Sequence, residues 1–146
     1  MERMTMKYQD DCFYCTKNEN LTDIMIEICE LEASTLYLFK EQTYKGRCVV
    51  AYKEHKSEIF HLSDEERNLF MKDVARVAAA LDKTFSPNKI NYGAYADKMT
   101  HLHYHIVPKY TNGPSWGNTF EMMPKEKVLL SDEAYQELIS KIKKNL

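Results

Sequence analysis

Apolar positions along this chain follow two periods, and each change of period falls at recognisable punctuation. Between Ile24 and Lys40 the period is two. Ile24, Ile26 and Ile28 alternate with Met25, Glu27 and Cys29, and the β-branched and aromatic block Thr35-Leu36-Tyr37-Leu38-Phe39 follows. Two strands are expected there. A polar connection from Lys40 to Lys45 closes at Gly46, and Arg47-Cys48-Val49-Val50-Ala51-Tyr52 predicts a third strand. At Ser63 the period lengthens: Leu69, Phe70, Val74, Val77, Ala78 and Leu81 recur at helical spacing. Ser63-Asp64-Glu65-Glu66 is a capping box, in which Ser63 accepts from the Glu66 amide and Glu66 returns to the cap. Ser86-Pro87-Asn88 ends this helix, because the residue before a proline disfavours the α region. Lys89 to Tyr95 and His101 to Val107 predict two more strands around a turn at 96–100, with Pro108 ending the second. Ser131-Asp132 opens a last helix with Tyr135, Leu138, Ile139 and Ile142 on one stripe. The order β-β-β-α-β-β-α predicts an α+β fold. The chain reads as one domain over residues 1–146, with a loosely ordered leader at 1–11 and a C-terminal loop and helix at 109–146.

One predicted strand has unusual content. In His101-Leu102-His103-Tyr104-His105-Ile106-Val107-Pro108, three of the five histidines fall at every second position. Strand side chains alternate between faces, so the imidazoles share one face at steps of about 6–7 Å. Leu102, Tyr104 and Ile106 point into a core. The strand is therefore expected to be half buried, with an open face that carries chemistry. Such a row can supply a nucleophile, a proton donor and a metal ligand. A histidine attacking phosphorus forms a covalent phosphoryl- or nucleotidyl-histidine, and neighbouring imidazoles stabilise charge on the phosphoryl oxygens. Period alone does not divide these roles among the three.

Cys12 and Cys15 have the spacing by which a short loop gives two thiolates to zinc. No second CxxC exists, so the remaining ligands must be histidines, drawn from His55, His61 and one of the row. His61, just before the helix cap, reads as a surface residue. A thioredoxin-like redox pair is the rival, but its parallel βαβ context is missing. Cys29 and Cys48 sit in apolar runs and read as buried small hydrophobes. The 20 basic and 22 acidic residues leave a net charge of −2, so no nucleic-acid partner is expected. No apolar run approaches the roughly 20 residues of a membrane span, and the first residues lack a signal peptide's apolar core. A cytoplasmic protein without a membrane partner is expected.

The histidine row and its flanks resemble the histidine triad motif of the HIT family, in which apolar residues separate the three histidines. The likeness covers nearly the whole chain. It takes in the CxxC, Gly46-Arg47-Cys48-Val49-Val50, Lys53-Glu54-His55, the Ser63 helix, Asn91-Tyr92-Gly93 and Pro108-Lys109-Tyr110. It implies a HIT-like fold: a mostly antiparallel five-stranded sheet with one long central helix and a C-terminal helix. It implies a nucleotide hydrolase or transferase acting at the α-phosphate, and a homodimer whose sheets join. His103 would be the nucleophile that carries a nucleotidyl intermediate, and His105 and Asn91 would contact phosphate. In bacterial-type members with structural zinc, the ligands map onto Cys12, Cys15, His55 and His101. No organic cofactor is implied.

The departures from the family pattern are local. Asp97 stands where a glutamine is usual, in Ala96-Asp97 for Gly-Gln. An ionised aspartate accepts but cannot donate and repels phosphate, so it either turns away or pairs, for example with Lys98 or Arg47. Arg47 replaces a histidine and could neutralise phosphate charge without relaying protons. Glu41 is the nearest carboxylate for a ribose. Trp116, in Gly113-Pro114-Ser115-Trp116-Gly117, could cover a base or fill a dimer contact. The expected substrate is a dinucleoside polyphosphate or a nucleoside phosphoramidate. A nucleotide-binding regulatory module with weak or no catalysis is the alternative, and a structural zinc protein without nucleotide chemistry a third reading.

Overall fold

The computed structural model describes residues 8–146. The expected leader at 1–11 lies outside the described residues as far as residue 7; beyond it, Asp10 and Asp11 form a turn. Two one-turn helices follow, α1 (Phe13–Thr16) and α2 (Glu19–Thr22). Then come β1 (Met25–Glu30), β2 (Ser34–Phe39), β3 (Cys48–Tyr52), α3 (Asp64–Phe85), β4 (Lys89–Gly93), β5 (His103–Lys109) and α4 (Asp132–Lys144). The strands form one sheet in the order β1-β2-β3-β5-β4, and every neighbouring pair is antiparallel. The α+β expectation is met.

The long helix forms as its sequence requires. Ser63 accepts from the Glu66 amide at 3.2 Å, and the Glu66 carboxylate accepts from the Ser63 amide at 2.7 Å, so both halves of the capping box are made. Phe70, Val74, Val77, Ala78 and Leu81 lie in the buried core cluster. They pack on one sheet face with Leu36, Leu38, Val50 and Ile106, and the α4 stripe of Tyr135, Leu138, Ile139 and Ile142 closes the same core. Each large side chain buried there contributes roughly 1.5–3 kcal/mol. A second cluster, including Tyr14, Leu21, Met25, Tyr37, Phe39 and Val49, lies on the opposite face. The sheet is thus covered on both sides.

Three local features depart from the expectations. A bulge between Glu27 and Cys29 shifts β1 against β2, so that Cys29 pairs with Leu36 and packs against the helix-side core together with Ile26 and Ile28. The strict alternation over 24–29 is broken there. The triad strand begins at His103, not His101, and continues through Pro108 to Lys109. Pro108 does not end it, because pairing with β3 stops at Ile106 and a missing N–H is tolerated past the end of that ladder. Gly46, with φ of 94°, holds the turn into β3, where a Cβ would lie 2.6 Å from the Phe85 ring.

Candidate active site and metal centre

β5 places His103 opposite Ala51 and His105 opposite Val49, on the sheet face away from α3. That face is not open, which corrects the half-buried strand expected from alternation. His101, His103 and His105 are 2%, 6% and 5% exposed. Tyr14 of α1 packs on His103 with ring centroids 4.9 Å apart, and Phe39 and Phe120 pack on His105 at 5.6 and 6.2 Å. The row is covered because the segment before β1 and the loop before α4 both fold over it.

Hydrogen bonds fix the three rings differently. His103 Nδ1 lies 2.7 Å from the His101 carbonyl, which can only accept, so His103 donates from Nδ1 and keeps its lone pair on Nε2. His101 lies just before β5, where Leu102 bridges β3 and the loop after it. The Tyr52 amide donates to Leu102 at 2.9 Å, and the Leu102 amide donates to Lys56 at 2.6 Å. His101 Nε2 donates to the Tyr52 carbonyl at 2.6 Å, which leaves its Nδ1 lone pair free. His105 Nδ1 is 3.1 Å from Arg47 Nη2. Burial lowers the pKa of His103, and burial, then Arg47 and His103, press that of His105 down to about 2. All three rings are neutral at pH 7.

A cavity of about 720 Å³ opens beside His103 and His105. Phe13, Tyr14, Ile24, Met25, Phe39 and Phe120 give it an apolar wall, Asp97 and Lys98 a charged one, and Met122 and Met123 a flexible one. Such a space accepts a flat apolar group beside an anion held by imidazoles. Asp97 lines this cavity and makes no ion pair with Lys98 or Arg47. Its neighbour Ala96 sits at φ of 58°, in the left-handed region that favours glycine.

Other predicted residues stand elsewhere. Arg47 is 0% exposed and does not line the cavity. Glu41 is buried as a structural acceptor, with Thr43 Oγ1 at 2.7 Å and the Val128 amide at 2.7 Å, so it is not a free ribose ligand. Asn91 and Trp116 share a separate cavity of about 360 Å³ with Lys89 and Lys109. Asn91 also lines one of about 740 Å³ that shares Tyr95 and Phe120 with the triad cavity. Tyr14, Phe120 and the two methionines were missed by sequence reasoning. Of these only Tyr14 had a signal, its place inside the CxxC.

Cys12, Cys15, His55 and His101 converge, and one ligand atom from each lies within 4.8 Å of the others. His101 Nδ1 is 3.5 Å from both Cys12 Sγ and Cys15 Sγ and 3.3 Å from His55 Nδ1, and Cys15 Sγ is 3.5 Å from His55 Nδ1. A tetrahedral ion with bonds of about 2.0–2.3 Å separates its ligand atoms by about 3.3–3.8 Å. These four residues therefore fit a metal ion. The His101 bond to Tyr52 is the outer contact that orients a ligand imidazole. Burial pushes the Cys15 thiol up to about 11, which a bound cation would counter. His61 lies outside the cluster, with Nδ1 on Ser57 Oγ at 3.3 Å.

Known proteins resemble this chain in sequence and in fold. The chain is 29% identical to the adenosine 5'-monophosphoramidase of Schizosaccharomyces pombe over 127 residues, 81% of this chain and 89% of that protein. It is 30% identical to an uncharacterised HIT-like protein of Mycoplasma genitalium over 122 residues, 80% of this chain and 84% of that one. A histidine triad protein of Sinorhizobium meliloti superposes with a TM-score of 0.81 at 22% identity, over 88% of this chain and 95% of that one. The histidine triad protein of Bradyrhizobium japonicum gives 0.80 at 21% identity, with the same coverage. The HIT domain profile matches residues 20–112, which span β1 to β5, and the chain belongs to the HIT family.

Proposed function

We propose that this protein is a hydrolase or nucleotidyl transferase acting at the α-phosphate of a nucleotide, a dinucleoside polyphosphate or a nucleoside phosphoramidate. The observation that carries this reading is the His103 hydrogen bond to the His101 carbonyl, which keeps the Nε2 lone pair of a buried, neutral imidazole beside a cavity. His103 Nε2 attacks phosphorus while the bond to the leaving group breaks. His105 donates a hydrogen bond to a phosphoryl oxygen. Water then adds to phosphorus as the bond to His103 breaks, releasing a nucleoside monophosphate and the free imidazole, and the proton lost by the water passes through solvent to the departed amine or phosphate. The base lies against Phe13, Ile24 and Phe39. A longer substrate passes Tyr95 and Phe120 toward Asn91 and Trp116. The phosphoramidase named among the relatives supports the reaction class.

His103→Ala is expected to lose at least a thousandfold in kcat on phosphoramidate and polyphosphate substrates, as loss of a nucleophile does. Retained turnover sinks the mechanism. The second reading, a nucleotide-binding module, is favoured by Asp97 in the cavity. Tight nucleotide binding without turnover of either substrate class would establish it.

The four-residue cluster would hold zinc, whose role there is structural: it ties α1 to residue 101 and so supports the histidine row. The HIT domain is read as extending to the C-terminus, since α4 packs in the same core as β2, β3 and β5. A cytoplasmic homodimer is proposed through β4, which lies at the sheet edge with Tyr92 exposed. Sedimentation giving a single-chain mass at micromolar concentration would exclude the dimer. No helix among the described residues is long and apolar enough to cross a membrane.

A further inference from the structure

Arg47 is fully buried, yet no carboxylate lies within ion-pair distance of it among the described residues. Its guanidinium lies 4.1 Å from the Phe39 ring centroid and 5.2 Å from that of Phe120. Nη2 donates to the Met122 carbonyl at 2.9 Å and contacts Met122 Sδ at 3.2 Å, and Nη1 donates to the Glu121 carbonyl at 3.3 Å. Nε has no partner. Burying a cation in this way costs several kcal/mol that carbonyls and aromatic faces only partly offset. A purely structural residue here would be better apolar.

The remaining contact gives a reason for the charge. Nη2 lies 3.1 Å from His105 Nδ1. A guanidinium has five N–H groups and no acceptor, so the lone pair in this bond belongs to the imidazole. His105 Nδ1 is then unprotonated, and the one proton of the neutral ring is on Nε2. An imidazolium would lose the bond and set two cations against each other. The same guanidinium holds the main chain at Glu121 and Met122, and Met122 and Met123 line the cavity that His105 also lines. One buried side chain therefore fixes both a ring and a wall of the site.

We propose that Arg47 is a positioning residue of the triad: by donating to His105 Nδ1 it holds His105 as the neutral Nε2–H tautomer, a fixed hydrogen-bond donor to the phosphoryl group. The inference rests on the α-phosphate reading for the identity of the acceptor. It divides the row further. His103 presents a lone pair on Nε2, His105 presents a proton on Nε2, and the two do not exchange roles. His105 has no free nitrogen with which to accept a proton, so it takes no part as general base. The positive charge one imidazole away from the phosphoryl oxygens gains its counter-charge when the anionic substrate binds. This replaces direct phosphate contact by Arg47, which its burial forbids.

The test uses full-length protein as purified. Long-range proton–nitrogen correlation spectra assign the histidine tautomers in the wild type, Arg47→Lys and Arg47→Met. The wild type is expected to show His105 as the Nε2–H tautomer at pH 7. Arg47→Met is expected to convert it to the other tautomer or a mixture, and to lower kcat about 100-fold with KM changed less than threefold, the size of losing one fixed donor. Arg47→Lys is expected to keep the Nε2–H signature and stay within about tenfold of wild-type kcat. A wild-type His105 that is Nδ1–H or doubly protonated overturns the proposal. So does an unchanged tautomer and kcat in Arg47→Met. If Arg47→Met does not fold, the wild-type and Arg47→Lys spectra still decide. If no nucleotide substrate is turned over, the tautomer result stands and only the α-phosphate reading fails.

Discussion

On the proposed nucleotide reading, Asp97 is the residue whose chemistry bears most directly on substrate choice. It lines the triad cavity where the family has an amide, and it has no ion-pair partner among the described residues. A carboxylate there repels an anionic leaving group such as a polyphosphate more than it repels an amine. Asp97→Gln is therefore expected to lower KM for a dinucleoside polyphosphate several-fold while changing KM for an uncharged phosphoramidate less. The difference should shrink as salt rises, since the Debye length falls to about 3 Å at 1 M. Steady-state kinetics on both substrates at two ionic strengths would check this, and equal effects on both would refute it.

At the scale of elements, two small devices hold large pieces together. Asp73, on the helix α3, is buried and accepts from the Ala33 amide at 2.8 Å, Ser34 Oγ at 2.6 Å and the Glu32 amide at 3.3 Å. It fastens the β1–β2 turn to the helix. Asp73→Ala leaves those donors buried or half-buried without a partner, at a cost of about 3 kcal/mol. A fall in Tm of about 6–10 °C is expected, with kcat at 20 °C nearly unchanged. The second device is α1. Four residues cannot hold a helix alone, because nucleation is unfavourable. Cys12 and Cys15 lie against His55 and His101, Phe13 and Tyr14 line the cavity, and a metal ion held by these four residues would fasten the turn in place. Metal analysis is expected to find about one zinc per chain, by the four-ligand count. Cys12→Ser with Cys15→Ser should lose the metal and raise KM through the missing wall, and unchanged metal content would rule the site out.

For the whole molecule, the buried row links stability to pH. His105 is neutral when folded because burial and then Arg47 hold its pKa near 2, whereas unfolded it titrates near the ordinary value of about 6.5. Its folded pKa is depressed, so the unfolded state binds more protons below about 6.5. Stability is therefore full above that pH and declines as the pH falls through the window toward 2. The slope is about 1.4 kcal/mol per pH unit for this one proton. Denaturant unfolding at pH 6 and pH 5 is expected to show a slope in His105→Asn that is smaller than the wild type's by about this one proton, with the buried His101 and His103 adding their own share to the wild-type slope. Identical slopes would contradict the neutral, buried His105.

What the sequence determined by itself was whatever depends on local period and local chemistry. The capping box of Ser63 and Glu66, the stripes of α3 and α4, and the β-branched blocks of β2 and β3 are each made by residues within a few positions of one another. The histidine row was legible for the same reason, as was the pairing of the CxxC with two imidazoles in number if not in identity. Tertiary structure decided the rest, because partners distant in sequence cannot be read from spacing. The choice of His55 over His61 as the cluster's fourth member follows from the loop after β3 meeting residue 101. The burial of the row follows from Tyr14, Phe39 and Phe120 arriving from three separate segments. Glu41 spends its carboxylate on Val128, and Arg47 reaches His105 58 residues away, behind the cavity rather than within it. The alternation placed the three imidazoles on one face. The carbonyl, the carbonyl and the guanidinium that meet them assign each nitrogen its proton, and those partners exist only in the folded chain.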